Sequence, residues 1–332
     1  MKAAVIRPGG TEVTDVGAPI VGPDDVLLRP VLSGICGTDL HVAAGDYPLA
    51  EYPLVPGHEV VGVVIEIGAR VSDVRPGDHV AVQPNIPCRS CRPCRRGRHN
   101  LCERYEALGI TRGGGMAALQ VAPAECVYPL PEDLPWEQAV LAEPLSCAVH
   151  AFDALPRFAG EHYLVYGAGT MGVLMALLAK RAGAGSVSIV EVRENRRQLA
   201  EKLGIGAAAT SADAFGRRDG WDVVVECSGA APAIADGLAR IGLGGTYLQV
   251  GVAGPDVRAE ISPHDVFARE LRIAGTMAVH DGFGRAVDLI AEGLLDTTPM
   301  VTHRLPLADY ADGLALLRDG EGLKIAVEIT PS

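Results

Sequence analysis

Short Val-rich runs separated by proline and glycine fill the N-terminal part of the chain: VLLRPVL, VVGVVIEIG and DHVAVQP. β-branched residues in short runs between turn formers predict β-strands, so this part is read as mostly β. From Glu161 the pattern changes. An apolar run, HYLVYG, leads through a glycine turn into the helical TMGVLMALLAKRAG. SVSIVEV and ENRRQLAEKLG repeat the alternation, and WDVVVECSG and GTYLQVG add further apolar runs. Apolar strands alternating with helices predict a parallel, doubly wound sheet. Beyond Val279 a helix, GFGRAVDLIAEGLL, is followed by short strands around KIAVEIT. The last stretch therefore returns to the first domain. The expected division is residues 1–148, 149–279 and 280–332, the middle segment being the doubly wound domain. The stretch Tyr163 to Ala179 is nearly free of polar side chains but is slightly short for a bilayer span, and its ordered glycines have another use.

The length of 332 residues, with 48% hydrophobic and 21% charged side chains, fits a soluble chain of two domains. A formal charge of −12 argues against nucleic acid as a partner, because phosphate binding needs a basic surface. The one basic run, Arg89 to Arg98, is interleaved with cysteines and reads as a solvated face offsetting a negative metal–thiolate centre. The opening MKAAVIRPGG lacks the apolar core of a signal peptide, so a cytoplasmic protein is expected.

Four of the eight cysteines, Cys88, Cys91, Cys94 and Cys102, lie in one lobe of about residues 85–105, spaced C-x2-C-x2-C-x7-C. Four thiolates can close a tetrahedral shell around zinc and leave no position for substrate, which predicts a structural site. An iron–sulfur cluster is disfavoured by the long last gap and by Glu103 where proline would follow. A pair of disulfides would need an oxidising compartment.

Gly167, Gly169 and Gly172, with Met171 among them, form G-x-G-x-x-G between a predicted strand and helix. The first glycine permits a tight turn, the second admits a pyrophosphate, and the third allows helix and strand to pack closely. Glu191, at the end of the next strand, can accept hydrogen bonds from an adenosine ribose and favours NAD over NADP. Arg193, Arg196 and Arg197 pull the other way as possible phosphate ligands or as exposed helix-start charges, so NADP stays open.

Cys36, Thr38 and His41 place a thiol, a hydroxyl and an imidazole within one short segment, and His58 stands beside Glu59. The run from Gly57 to Val71 reads G-H-E-x2-G-x5-G-x2-V and resembles the signature of zinc-containing medium-chain alcohol dehydrogenases. C-G-T-D-x-H, the four-cysteine lobe and the glycine motif agree in kind and order, and the resemblance covers essentially the whole chain. It implies an α/β protein: a GroES-like, mostly β catalytic domain wrapped around a Rossmann domain, with zinc and nicotinamide meeting in a cleft. Glu143 stands where typical alcohol dehydrogenases have cysteine, which resembles the sorbitol and threonine dehydrogenase branch. The implied catalytic zinc site is Cys36, His58 and Glu143, the last bound directly or through water, with Glu59 as a second carboxylate. Two zinc ions per subunit and a homodimer or homotetramer are expected.

The same resemblance implies oxidation of a small-molecule alcohol, hydride passing to nicotinamide and the proton leaving through Thr38, the cofactor ribose and His41. A zinc-free quinone or enoyl reductase would not need these metal-type residues, and a non-catalytic NAD-binding protein would not need the relay. Sorbitol dehydrogenases hold the polyol with an Arg-Tyr pair that aligns with Ala278 and Val279, and Val42 replaces a further aromatic hydroxyl residue. Gly109 to Gly115 is closer to threonine and butanediol dehydrogenases. The expected substrate is a secondary alcohol on a polyol, sugar, cyclitol or amino alcohol, with threonine or butanediol as the alternative.

Overall fold

The computed structural model describes residues 1–156 and 158–329. These fall into two compact units, one built from Met1–Ser146 and the chain from Val279 onward, the other from Cys147–Ala278.

The second unit holds a six-stranded parallel sheet in the order Ala207–Ala209, Ser186–Val190, His162–Tyr166, Trp221–Glu226, Ile241–Gln249, Arg272–Gly275. Its strands read as continuous apolar runs because helices cover the sheet: Leu164 and Val165 in the central strand and Val223, Val224 and Val225 beside it are fully buried. Trp221, Ile234, Ile241 and Tyr247 belong to the core on one side. From His162–Tyr166 the chain builds outward through two strands, then crosses back to build the other half. The order thus reverses at this strand, and its carboxyl end is the switch point at which doubly wound sheets bind ligands. Glu226, buried at the end of the neighbouring strand, accepts hydrogen bonds from the backbone of Ser228 (2.7 Å) and from Gln249 Nε2 (2.7 Å), tying two strand ends together.

The first unit is organised on a mixed sheet ordered Val301–Pro306, Lys324–Glu328, Asp25–Ile35, Glu59–Ile67, His79–Val82, Val127–Pro129, with Gln120–Pro123 also paired to Asp25–Ile35. Val26, Leu28, Val60, Val64, Val80 and Val82 form one core cluster of this sheet. The N-terminal part is not strand alone. The helix Gly37–Ala44 follows Cys36 directly, and Ala142–Asp153 runs from the first unit into the second. Neither helix shows in a Val-rich strand pattern: Gly37–Ala44 is a short helix set by its capping box at Cys36 and Asp39. Among the described residues, no helix is long and apolar enough to cross a membrane. The apolar stretch Tyr163 to Ala179 is instead the central strand, the glycine turn and most of the helix Thr170–Arg181.

Candidate active site

Strand register assembles the metal-type residues. Gly34 pairs with Glu59, and Ile35 pairs with Ile325, so the carboxyl end of one strand, the start of a second and the residue before Ile325 share a corner. Cys36, His58, Glu59 and Lys324 therefore meet although far apart in sequence. The ligand atoms of Cys36, His58 and Glu59 all lie within 4.8 Å of one another. A Cβ on Gly34 would stand 1.9 Å from Glu59 Oε2, so only glycine leaves room for this carboxylate.

Cys36 caps the helix Gly37–Ala44, and its backbone N–H donates to Asp39 Oδ2 at 2.8 Å. The positive end of the helix dipole lies against its sulfur, a suitable setting for a metal-binding thiol. Asp39 is fully buried and turns its other oxygen toward His58 Nδ1, 3.7 Å away. Neither of those two atoms has a hydrogen-bond partner. Burial raises the Asp39 carboxyl and opposes charge on His58. The Asp39 carboxylate and the Cys36 sulfur outweigh that opposition and hold the imidazole well above its ordinary value. A buried imidazole with orphaned polar atoms around it, a thiol and a carboxylate is a donor set suited to a borderline cation such as zinc.

Glu59 is fully buried, and both its oxygens accept from Lys324 Nζ at 2.6 Å. Lys324 also donates to the Ile35 carbonyl at 3.2 Å. Burial works to lower the Lys324 pKa, and the Glu59 carboxylate reverses this and raises it. Glu143, in the first turn of Ala142–Asp153, is buried and acts electrostatically on both His58 and Lys324. Thr38 Oγ1 stands 3.9 Å from Cys36 Sγ, and the exposed His41 has Nδ1 3.0 Å from Asp46 Oδ1.

Three residues near this centre escaped sequence reasoning. Asp39 lay inside the C-G-T-D-x-H motif without an assigned partner. Lys324 was detectable as a lysine inside an apolar strand, KIAVE, whose burial requires a counter-charge. Tyr47 is the third: its hydroxyl is raised by burial and by the nearby Cys36. Val42, by contrast, is buried with Ile6 and Leu54, and Val279 is buried with its carbonyl accepting from Asn85 Nδ2 at 3.1 Å. Within this unit both side chains are buried apolar groups that offer no hydrogen bond of their own.

The four cysteines of the lobe also converge, with every Sγ within 4.8 Å of the others. Backbone N–H groups point at the sulfurs: Cys88 N donates to Cys102 Sγ at 3.2 Å, Arg104 N to the same sulfur at 3.3 Å, and Cys91 N to Cys88 Sγ at 3.4 Å. The Ser90 backbone N–H and the Arg104 guanidinium lower the Cys88 thiol to about 5, whereas burial pushes Cys94 up to about 12. Sulfurs crowded this closely and met by donors fit a tetrathiolate zinc site.

In the second unit the glycine turn has the form its spacing predicts. Gly167 has φ +90°, and a Cβ on Gly172 would stand 1.8 Å from the Gly167 carbonyl oxygen. Gly169 caps the helix Thr170–Arg181, which puts Met171 and Gly172 in its first turn and aims its amide groups at the switch point. Glu191 is buried, and its two oxygens accept from the backbone of Ala168 and Arg193, each at 2.8 Å. The carboxylate thus braces the turn itself. Arg196 approaches Gly169, and its Nε is buried without a hydrogen-bond partner.

A thiol–imidazole–carboxylate centre, a tetrathiolate lobe and a dinucleotide turn in one chain define a metal-dependent nicotinamide dehydrogenase. Residues 22–132 match the Alcohol dehydrogenase GroES-like domain and residues 170–292 the Zinc-binding dehydrogenase domain. The chain is 36% identical to L-threonine 3-dehydrogenase of Rhizobium etli over 96% of its length and 95% of the relative's. It is 34% identical to D-arabinitol dehydrogenase 1 of Uromyces fabae over 97% of its length and 95% of that protein's. A zinc-binding dehydrogenase of Sinorhizobium meliloti solved with NADP superposes with a TM-score of 0.94 at 33% identity, covering 98% of each chain. The chain belongs to the zinc-containing medium-chain alcohol dehydrogenase family, in its sorbitol and threonine dehydrogenase-like branch. It is a zinc-dependent oxidoreductase of alcohols that uses a nicotinamide cofactor.

Proposed function

We propose that the enzyme oxidises a secondary alcohol on a polyol or amino alcohol to a ketone and passes the hydride to NAD or NADP. The convergence of Cys36, His58 and Glu59 in a chain that also carries the dinucleotide turn is the observation that carries this reading. The relatives named for threonine and D-arabinitol favour polyfunctional secondary alcohols. Zinc at this centre supplies a Lewis acid that makes the substrate hydroxyl more acidic.

The chain's own residues do the rest. Cys36 and His58 hold the metal, with Glu143 as third ligand and Glu59 as a reserve carboxylate restrained by Lys324. Asp39 orients His58. Thr38 would relay the hydroxyl proton, accepting it while giving its own to the cofactor ribose, and the exposed imidazole of His41 would pass it to solvent. Cys88, Cys91, Cys94 and Cys102 hold a second, structural zinc. Gly167, Gly169, Met171 and Gly172 receive the pyrophosphate, and Glu191 supports the turn and the ribose.

A second cofactor reading, NADP, is favoured by Arg196, a cation beside the glycine turn that has an unpartnered Nε, and by the NADP-bound relative. The reading places the enzyme in the cytoplasm as a homo-oligomer, associating along the outer edge of Arg272–Gly275, where Ile273 is exposed. Steady-state assays with threonine, arabinitol, sorbitol, butanediol and cyclic polyols, each with NAD and NADP, test it. Failure of the zinc-replete enzyme to reduce either cofactor with any of them would leave a non-catalytic binding protein.

A further inference from the structure

A third cluster of metal-type side chains lies outside both sites described above. His99 sits in the short turn His99–Leu101 of the cysteine lobe, between Cys94 and Cys102 in sequence. His280 and Asp281 lie where the chain re-enters the first unit after Ala278. The ligand atoms of all three fall within 4.8 Å of one another. Asp281 presents one oxygen to each ring: Oδ1 is 3.5 Å from His99 Nδ1, and Oδ2 is 3.5 Å from His280 Nδ1. The two rings meet edge to face with centroids 6.3 Å apart.

These separations decide between two uses of the cluster. A direct imidazolium–carboxylate hydrogen bond closes to about 2.7–2.9 Å. Nitrogen and oxygen ligands at about 2.0–2.1 Å from a tetrahedral ion stand about 3.3 Å from each other. Both observed pairs, each to its own oxygen of Asp281 at 3.5 Å, are too long for that hydrogen bond and lie nearer the second spacing. The surroundings are also built. All three residues border a cavity of about 120 Å³. The segment is fixed from below by the Asn85 bond to the Val279 carbonyl, and Asn85 in turn accepts from the Tyr105 hydroxyl. Ala278 and Asp281 hold left-handed backbone, φ +52° and +45°, a conformation that side-chain-bearing residues adopt where their surroundings impose it. Arg89, which also lines the cavity, is engaged by Glu125 at 2.7 Å.

We propose that His99, His280 and Asp281 form a third metal site, which takes an exchangeable divalent transition cation such as Zn²⁺, Co²⁺ or Ni²⁺. Two imidazoles and a carboxylate suit these ions better than Mg²⁺ or Ca²⁺. With Asp281 two-thirds exposed, solvent completes the coordination shell, so the ion comes and goes under conditions in which the tetrathiolate zinc stays. When bound, it clips the cysteine lobe to the segment that returns from the cofactor-binding unit.

The test is titration of the zinc-replete enzyme, as isolated, with Co²⁺, followed by visible absorption and calorimetry, and needs no turnover. One further equivalent is expected above the metal content of the isolated protein. His280→Ala and Asp281→Asn should each weaken it by at least about tenfold, because losing even an indirect support of a metal site costs about 10–100-fold. The original zinc content should not change. His99→Gln replaces either variant that fails to fold. Hydrogen exchange at residues 279–282 should slow on addition of Zn²⁺ in the parent protein only. Absence of an extra equivalent in the parent, or an extra equivalent unaffected by these substitutions, would overturn the assignment.

Discussion

Removing the positive charge of Lys324 isolates the energetics of the metal corner. Lys324→Met keeps the alkyl stem in a buried position but deletes three contacts: two to the Glu59 oxygens at 2.6 Å and one to the Ile35 carbonyl at 3.2 Å. Glu59, fully buried beside Gly34, has no space in which to turn toward water. Breaking a buried pair from one side costs about 3–5 kcal/mol, mostly the stranded charge. At about 2–4 °C per kcal/mol for a unit of this size, the melting temperature should fall by about 6–20 °C. Lys324→Met combined with Glu59→Gln removes the stranded charge and should recover most of the loss. Because Lys324 is raised in the folded state, its contribution is complete below its unfolded value of about 10.4 and is lost only as the pH rises beyond it. The lysine itself therefore adds no pH dependence between pH 6 and 9; the deficit should be largest at pH 9 and shrink toward pH 6 as the stranded Glu59 carboxylate takes up a proton. Calorimetry and urea denaturation of the two variants at several pH values give the measurement. A loss below about 1 kcal/mol for the single variant, or a double variant worse than the single, would refute the buried-pair account.

Three further outcomes follow from the same structure. Cys91→Ser should lower the zinc content by one equivalent and lower thermal stability, while dinucleotide affinity measured by fluorescence titration stays near the parent value; retention of both zinc and stability would remove the structural assignment. Gly172→Ala drives a methyl group to 1.8 Å from the Gly167 oxygen, so the turn must deform, and the dissociation constant for the cofactor should rise more than about tenfold. Glu191→Ala should weaken both cofactors, since the carboxylate braces the Ala168 and Arg193 amides of the turn, whereas Arg196→Gln should weaken NADP selectively. An Arg196→Gln enzyme with an unchanged NADP-to-NAD ratio of kcat/KM would exclude that arginine from phosphate recognition.

What was legible in the sequence was whatever local chemistry forces. Gly167 and Gly172 are dictated by a turn that no other residue can make, and cysteines separated by two, two and seven residues can reach one ion. The alternation of apolar runs and helical segments likewise reports burial on both faces of a parallel sheet. The corner around Glu59 is a different case, because its partners come from register. Gly34 faces Glu59 and Ile325 faces Ile35 only once three strands are paired, and no spacing in a single chain segment encodes that Lys324 ends beside Glu59. The same holds for His99 with His280 and Asp281. Their proximity depends on the chain's return to the first unit and on Asn85 holding Val279. Val42, which stands where polyol enzymes have an aromatic hydroxyl residue, belongs to an apolar cluster with Ile6 and Leu54. A motif position fixes the backbone course, but the neighbours brought in by tertiary pairing decide which way each side chain works. The residues whose roles sequence alone leaves unassigned, Asp39, Lys324 and Tyr47, are accordingly those whose charge or hydroxyl group is shifted or satisfied by a partner from another element or from across a turn.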